Sequence, residues 1–284
     1  MFKFDFLKES HAENENNEDV PDTNIANHIW YTAKEILPNI VTTKNIVKLN
    51  KTKTLSCGNL AIEYINSQPK IIFPEHSNTC MAWAENNHSD LTTAIYEGGL
   101  KIWECTIDLA NVIQEYELSF KDKKVLDLGC GAGIIGLLSF LKGADVYFQD
   151  YNEEVITFLT IPNVFLNLKE ELDLSNCRFY SGDWSSFLEL MKGCKFDYIF
   201  TSETIYNSSN YCKLYKIFKE CLQSDGVVYV AAKTHYFGVG GGIRQFEEYL
   251  KHEGLFNVLP CWKCKDGLQR EILKVVHLND ICQD

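Results

Sequence analysis

Long apolar runs are missing from this 284-residue chain; no stretch approaches the roughly 18–20 consecutive apolar residues of a membrane-spanning helix, so no membrane partner is expected. Basic residues are also short: 27 Lys and Arg stand against 39 Asp and Glu, a formal net charge of −12. That balance argues against direct nucleic-acid binding, which needs clustered cations. It suits a basic protein partner, although a charged surface also simply keeps a chain in solution. The opening segment, MFKFDFLKES, has no apolar core and no small-residue cleavage site, so no secretory signal is expected. Cys261 and Cys264 form a C-x-x-C with no second pair at zinc-ligand spacing, so no metal is expected, and without a thioredoxin-like setting no redox role either. The 11 cysteines are odd in number and scattered, with Cys130 and Cys221 inside apolar runs. They read as free buried thiols of a reducing compartment, cytoplasm and nucleus. There is no internal repeat.

What is present is an ordinary globular composition, 45% hydrophobic and 23% charged, in a chain long enough to bury a proper core. Three regions are expected. Residues 1–24 are a partly disordered acidic segment: residues 9–24 hold no Lys or Arg and too little apolar surface to offset their ordering entropy. Within it Phe2, Phe4 and Phe6 alternate like a strand. Residues 25–92 form an N-terminal extension packing on the core. There the pattern predicts a short helix over Ile29–Leu37 stopped by Pro38, strands at Ile46–Leu49 and Leu60–Ile65, an apolar stretch at Ile71–Phe73, and a brief helix at Met81–Ala84.

Residues 93–284 alternate strands with helices. Strands are expected at Val125–Leu128, Val146–Gln149, Arg178–Tyr180, Tyr198–Phe200 and Val227–Ala231, then near Val258 and at Ile272–Val276. Helices are expected at Ile134–Leu141, at Val155–Leu168 with a break at Pro162, at Leu214–Leu222 and around Phe246–Leu250. This alternation predicts an α/β fold: a Rossmann-like seven-stranded, mostly parallel sheet with helices on both faces.

Asp127-Leu-Gly129-Cys-Gly131-Ala-Gly133 follows the first of these strands and precedes a helix. Glycines let such a loop turn sharply and bring its backbone against a ligand at the carboxyl ends of the strands. Gly131, Gly133 and Gly136 also satisfy the G-x-G-x-x-G dinucleotide fingerprint. Two features favour S-adenosylmethionine instead. Asp127 precedes the glycines, where a carboxylate suits a positively charged cofactor better than a pyrophosphate. Asp150 then ends the second strand, placed to accept ribose hydroxyls, and Asp183 follows the third, placed near an adenine amino group. Both acids also fit as simple caps of the helices that follow. A nicotinamide-dependent reductase keeps a second coincidence, Tyr215-x-x-x-Lys219 with Ser202 upstream.

The chain resembles the protein-histidine N-methyltransferase family, a branch of the seven-strand methyltransferases, over about residues 93–284. The motifs are YEGGLKIWECTIDL at 96–109, KVLDLGCGAGIIG at 124–136, FQDYN at 148–152, YSGDW at 180–184, TSETIYN at 201–207 and THYFGVGGG at 234–242. The resemblance implies methyl transfer from S-adenosylmethionine to the tele nitrogen of a histidine in a large-subunit ribosomal protein, by an enzyme expected to be monomeric. It also implies cofactor contacts at Ile102, Trp103, Glu104, Cys105, Thr106, Gly129, Gln149, Asp150, Tyr151, Gly182, Asp183, Trp184 and Ser202, beside Asp127 and Gly131 of the glycine loop. For the acceptor side, Glu203 and Tyr206 are the candidates, with Asn207 a third. An acid here would accept the hydrogen of one imidazole nitrogen and leave the other nitrogen its lone pair. The run from His235 to Gly242 is expected to form a loop over the substrate, with His235 structural. A lysine-specific methyltransferase shares the E-x-x-Y spacing, and a non-catalytic scaffold that binds a ribosomal protein is the reading outside enzymes.

Overall fold

The computed structural model describes residues 30–66, 91–168, 173–237, 240–265 and 267–278. The expectations for Phe2, Phe4 and Phe6, for residues 9–24, for Ile71–Phe73 and for Met81–Ala84 lie outside them. An eight-stranded sheet organises the described chain, in the order β1-β6-β5-β4-β7-β8-β10-β9. Its strands are β1 (Lys34–Glu35), β4 (Lys124–Leu128), β5 (Asp145–Asp150), β6 (Cys177–Ser181), β7 (Phe196–Ser202), β8 (Leu222–Lys233), β9 (Phe256–Lys263) and β10 (Arg270–His277). The pairs from β6 through β8 are parallel, whereas β10 lies antiparallel between β8 and β9. Seven of these strands are the expected ones. The eighth, β1, comes from the extension and pairs antiparallel to β6, Lys34 opposite Ser181.

Strand residues alternate between two cores, because successive side chains leave a pleated strand on opposite faces. Val125, Phe148, Phe179, Phe200, Tyr229 and Ile272 join one cluster. Their neighbours Leu126, Tyr180, Ile199, Val228, Val230 and Leu273 join the other. Helices cover both faces: α1 (Ile40–Leu49), α2 (Glu104–Glu115), α3 (Ile134–Leu141), α4 (Trp184–Leu190), α5 (Tyr211–Cys221) and α6 (Ile243–Glu253). From β4 the chain steps outward to β5 and β6, then returns to lay β7 and β8 on the other side. This reversal opens a crevice at the carboxyl ends of β4 and β7, where ligands bind in such sheets.

Between β5 and β6 a helical run over 153–166 changes its winding. Ile156–Thr160 is a π-turn, and Ile161–Leu166 resumes as α. Pro162 carries no N–H, so the ladder loses one bond here and the expected break appears as a change of pitch.

The extension departs from expectation twice. Where a helix was expected at Ile29–Leu37, Lys34–Glu35 is a strand, and the helix begins after Pro38, at Ile40. Asn39 caps it, its side chain accepting the Thr42 N–H at 3.0 Å. The pairing of β1 is set by the exposed edge of β6, which no local pattern reveals. Ile46–Leu49, expected as a strand, is the last turn of α1, with Thr43 and Ile46 turned inward one turn apart. The expected strand Leu60–Ile65 is present as β3, in a hairpin with β2 (Thr52–Cys57).

Two asparagines join that hairpin to the core. Asn163 Oδ1 accepts the Ile65 N–H at 2.8 Å while its Nδ2 donates to the Ala132 carbonyl of the glycine loop at 2.9 Å. Asn167 likewise accepts the Glu63 N–H and donates to the Glu63 carbonyl. Both side chains act as a surrogate strand for the edge of β3. Asn163→Ala leaves a backbone N–H and a carbonyl unpaired at a fully buried position. It is expected to cost about 2–4 kcal/mol in denaturant unfolding.

Candidate active site

A cavity of about 750 Å³, counting its open mouth, lies at the carboxyl edge of the sheet. Its floor is the glycine loop between β4 and α3. Gly129 and Gly131 sit at φ +69° and +51°, and side chains there would strike Thr204 at 2.5 Å and the Gly99 carbonyl at 2.9 Å. Only glycine gives both the left-handed turn and the close approach.

The last two residues of β5 hold the neighbouring loops. Gln149 Oε1 accepts the Trp184 indole N–H at 2.8 Å, and its Nε2 donates to the Gly182 carbonyl at 2.8 Å. Asp150 Oδ2 accepts the Gly131 N–H at 2.9 Å and Oδ1 the Asn152 N–H at 3.1 Å. Burial lifts the Asp150 carboxyl to about 6, against the lowering effect of those N–H groups. After β6, Asp183 caps α4 by accepting the Ser185 N–H at 3.0 Å, so the capping reading is correct as far as it goes. The same carboxylate pairs with Lys213 at 2.6 Å and also lines the cavity.

The opposite wall comes from residues 97–106 and the end of β7. The Trp103 indole N–H donates to the Gly98 carbonyl at 3.1 Å, and the Thr106 and Ser202 hydroxyls meet at 2.9 Å. Glu203 follows β7 with φ +60°, a strained backbone for a residue with a side chain. Its Oε2 accepts the Tyr236 hydroxyl at 2.5 Å, whereas its Oε1 is buried with no hydrogen-bond partner. The Lys233 ammonium stands 3.9 Å from Oε1. Burial, and then the Glu203 charge, hold the Tyr236 hydroxyl and the Cys105 thiol far above their usual ranges. Tyr206 donates its hydroxyl to Glu97 Oε2. Burial foremost raises Glu97 to about 7.

Thirteen of the expected residues line the cavity together: Ile102, Trp103, Thr106, Gly129, Gly131, Asp150, Tyr151, Gly182, Asp183, Trp184, Ser202, Glu203 and Tyr206. Five do not line it. Asp127 is buried beneath the loop, its Oδ2 accepting the Gly136 N–H at 2.8 Å. It clamps the end of β4 to the first turn of α3. Gln149 works from behind, as described. Cys105 is buried on the inner side of α2, and Glu104 faces outward, 3.9 Å from Lys233. Asn207 caps a single 3₁₀ turn, accepting the Ser209 N–H at 3.0 Å.

Sequence reasoning missed Glu97, Gly98 and Gly99, which stand in the same motif as Trp103 and contribute to the cavity. It also missed Trp30, for which no local signal exists. Tyr215 of the reductase alternative packs against Tyr249 and Phe256 in the core and is absent from the cavity wall. At 240–242 the glycine-rich run packs against the acceptor-side segment: a side chain at Gly241 would lie 2.2 Å from the Ile205 carbonyl.

A protein-family model described as lysine methyltransferase matches residues 86–246. Curated relatives carry a different name. A protein of Dictyostelium discoideum named histidine protein methyltransferase 1 homolog is 46% identical over 191 residues, 66% of this chain and 61% of its own. A Bos taurus protein of the same name is 40% identical over 216 residues, 67% of this chain and 58% of its own. Histidine protein methyltransferase 1 of Schizosaccharomyces pombe is 31% identical over 204 residues, 57% of this chain and 59% of its own. This chain therefore spans about three fifths of the length of the relatives it matches. No helix among the described residues is long and apolar enough to cross a membrane.

Burial lifts Asp127 from 3.8 to about 7, so the fold favours its protonated form. The stability this preference supplies is full below pH ~4 and is lost as pH rises through 7. Asp127→Asn keeps an acceptor for Gly136 and cannot ionise. It is therefore expected to gain on the order of 1–3 kcal/mol over the parent between pH 4 and pH 8, read from paired denaturant titrations.

Proposed function

The chain belongs to the lysine methyltransferase family, and we propose that it uses S-adenosylmethionine to methylate a histidine of another protein at the tele ring nitrogen. The observation that carries the acceptor assignment is the orphaned Glu203 Oε1, a buried acceptor in the cavity wall with no hydrogen-bond partner. A group buried in this state costs free energy unless a donor arrives.

The residues present fit the cofactor. The bare glycine loop leaves room for backbone contact, Asp150 and Asp183 offer acceptors to hydroxyl and amino groups, and Trp184 and Tyr151 offer flat apolar walls. When bound, S-adenosylmethionine supplies a methyl group on a positively charged sulfur, already reactive toward a lone pair. What remains for the chain is alignment and exclusion of water.

An imidazole of pKa about 6.5 is mostly neutral at pH 7, so no strong base is needed. Glu203 Oε1 accepts the N–H of the pros nitrogen and thereby presents the tele lone pair. Tyr236 and Lys233 hold Glu203 in orientation, while Glu97 fixes the hydroxyl of Tyr206 on the same wall.

The proposed partner is a basic large-subunit ribosomal protein, consistent with the net charge of −12 and met in cytoplasm or nucleus. The relatives' names favour histidine, and the family description favours lysine as the second reading. Radiolabelled S-adenosylmethionine with isolated ribosomal proteins, followed by amino-acid analysis, separates them: methylhistidine is expected, and methyllysine would replace the acceptor. No transfer despite cofactor binding would leave a scaffold. Glu203→Ala, which removes the acceptor, is expected to lower kcat about 100-fold with unchanged affinity for S-adenosylhomocysteine, checked by steady-state kinetics beside calorimetry.

A further inference from the structure

We propose that residues 30–35 of the extension are a working part of the cofactor site, with Trp30 as the wall on its nucleoside side; the inference rests on the cofactor reading above. One end of the cavity combines two carboxylates, Asp150 and Asp183, with the rings of Trp30, Tyr151 and Trp184. Acceptors surrounded by flat apolar faces suit a nucleoside, whose hydroxyls and amino group donate while its base stacks. Glu203, with its orphaned acceptor, lines the same cavity.

Trp30 is held there by its surroundings. The Lys213 ammonium lies 3.6 Å from the Trp30 ring centroid and 2.6 Å from Asp183 Oδ2, so one cation ties the extension to the acid after β6. Tyr151 meets Trp30 edge-on at 5.6 Å and stacks on Tyr31 at 5.3 Å. The backbone is anchored to the same loop. The Asp183 N–H donates to the Tyr31 carbonyl at 2.8 Å, and the Ala33 N–H to the Ser186 hydroxyl at 2.8 Å.

Gly182 makes room for this crossing. Its φ is +107°, and a side chain there would lie 2.5 Å from the Ala33 Cα. The glycine that follows β6 therefore serves the extension as well as the cavity. Docking of the extension and binding of the nucleoside share Asp183, Tyr151 and Trp30. By linkage, each strengthens the other.

The test uses the full chain and S-adenosylhomocysteine as the calorimetric probe, with 5′-methylthioadenosine as a second probe lacking the amino-acid end. Trp30→Ala is expected to weaken both probes by the same factor, at least about 5-fold from the loss of one stacking face, and Trp30→Phe to restore most of the affinity. Equal binding by the parent and Trp30→Ala would overturn the role of Trp30 while leaving the cofactor reading intact. A loss for S-adenosylhomocysteine alone would also overturn it, since the wall would then lie at the wrong end. Failure of the parent chain to bind either probe would instead remove the cofactor reading itself, and this inference with it.

Discussion

The carboxyl end of β5 is the joint on which the site depends. Gln149 and Asp150 turn buried polar groups toward the loops after β4 and β6, and each group is matched. The Gln149 carbonyl takes the Cys130 N–H, its side chain takes Trp184 and Gly182, and the Asp150 carboxylate takes Gly131. A buried polar group must be paired or it destabilises the fold. These two residues therefore have one low-energy arrangement of their surroundings, and that arrangement opens the cavity.

Around this joint the chain divides its acids by task. Asp127 is structural, clamping the start of α3, and Asp150 braces the glycine loop from the cavity side. Glu97 and Glu203 each hold a tyrosine hydroxyl, Tyr206 and Tyr236. Burial raises Glu97, Asp127 and Asp150 to about 7, 7 and 6.

The strands at Val125–Leu128 and Tyr198–Phe200, and the helix at Ile134–Leu141, were legible because each is a short, mainly apolar run with glycine or an acid at one end. The segments that follow these strands carry much of the cavity wall, since the ends of adjacent parallel strands converge by topology alone. Ile46–Leu49 was misread because Ile and Val favour strands locally, whereas the burial of Thr43 and Ile46 one turn apart holds them in a helix. The inward direction of Asp127 and the capping role of Asn207 were equally invisible, because spacing along a chain does not say where a side chain points.

By itself the sequence determined the alternation of strands and helices, the glycine loop, and the acids that follow the first three parallel strands, all properties of local period and composition. Only the tertiary structure decided which of those acids reach the cavity, that Glu203 keeps one oxygen without a partner, and that Trp30 of the extension closes the wall beside Lys213. The physical reason is sequence separation: Trp30 and Lys213 meet only because β1 finds the free edge of β6, and edge pairing is a property of the assembled sheet.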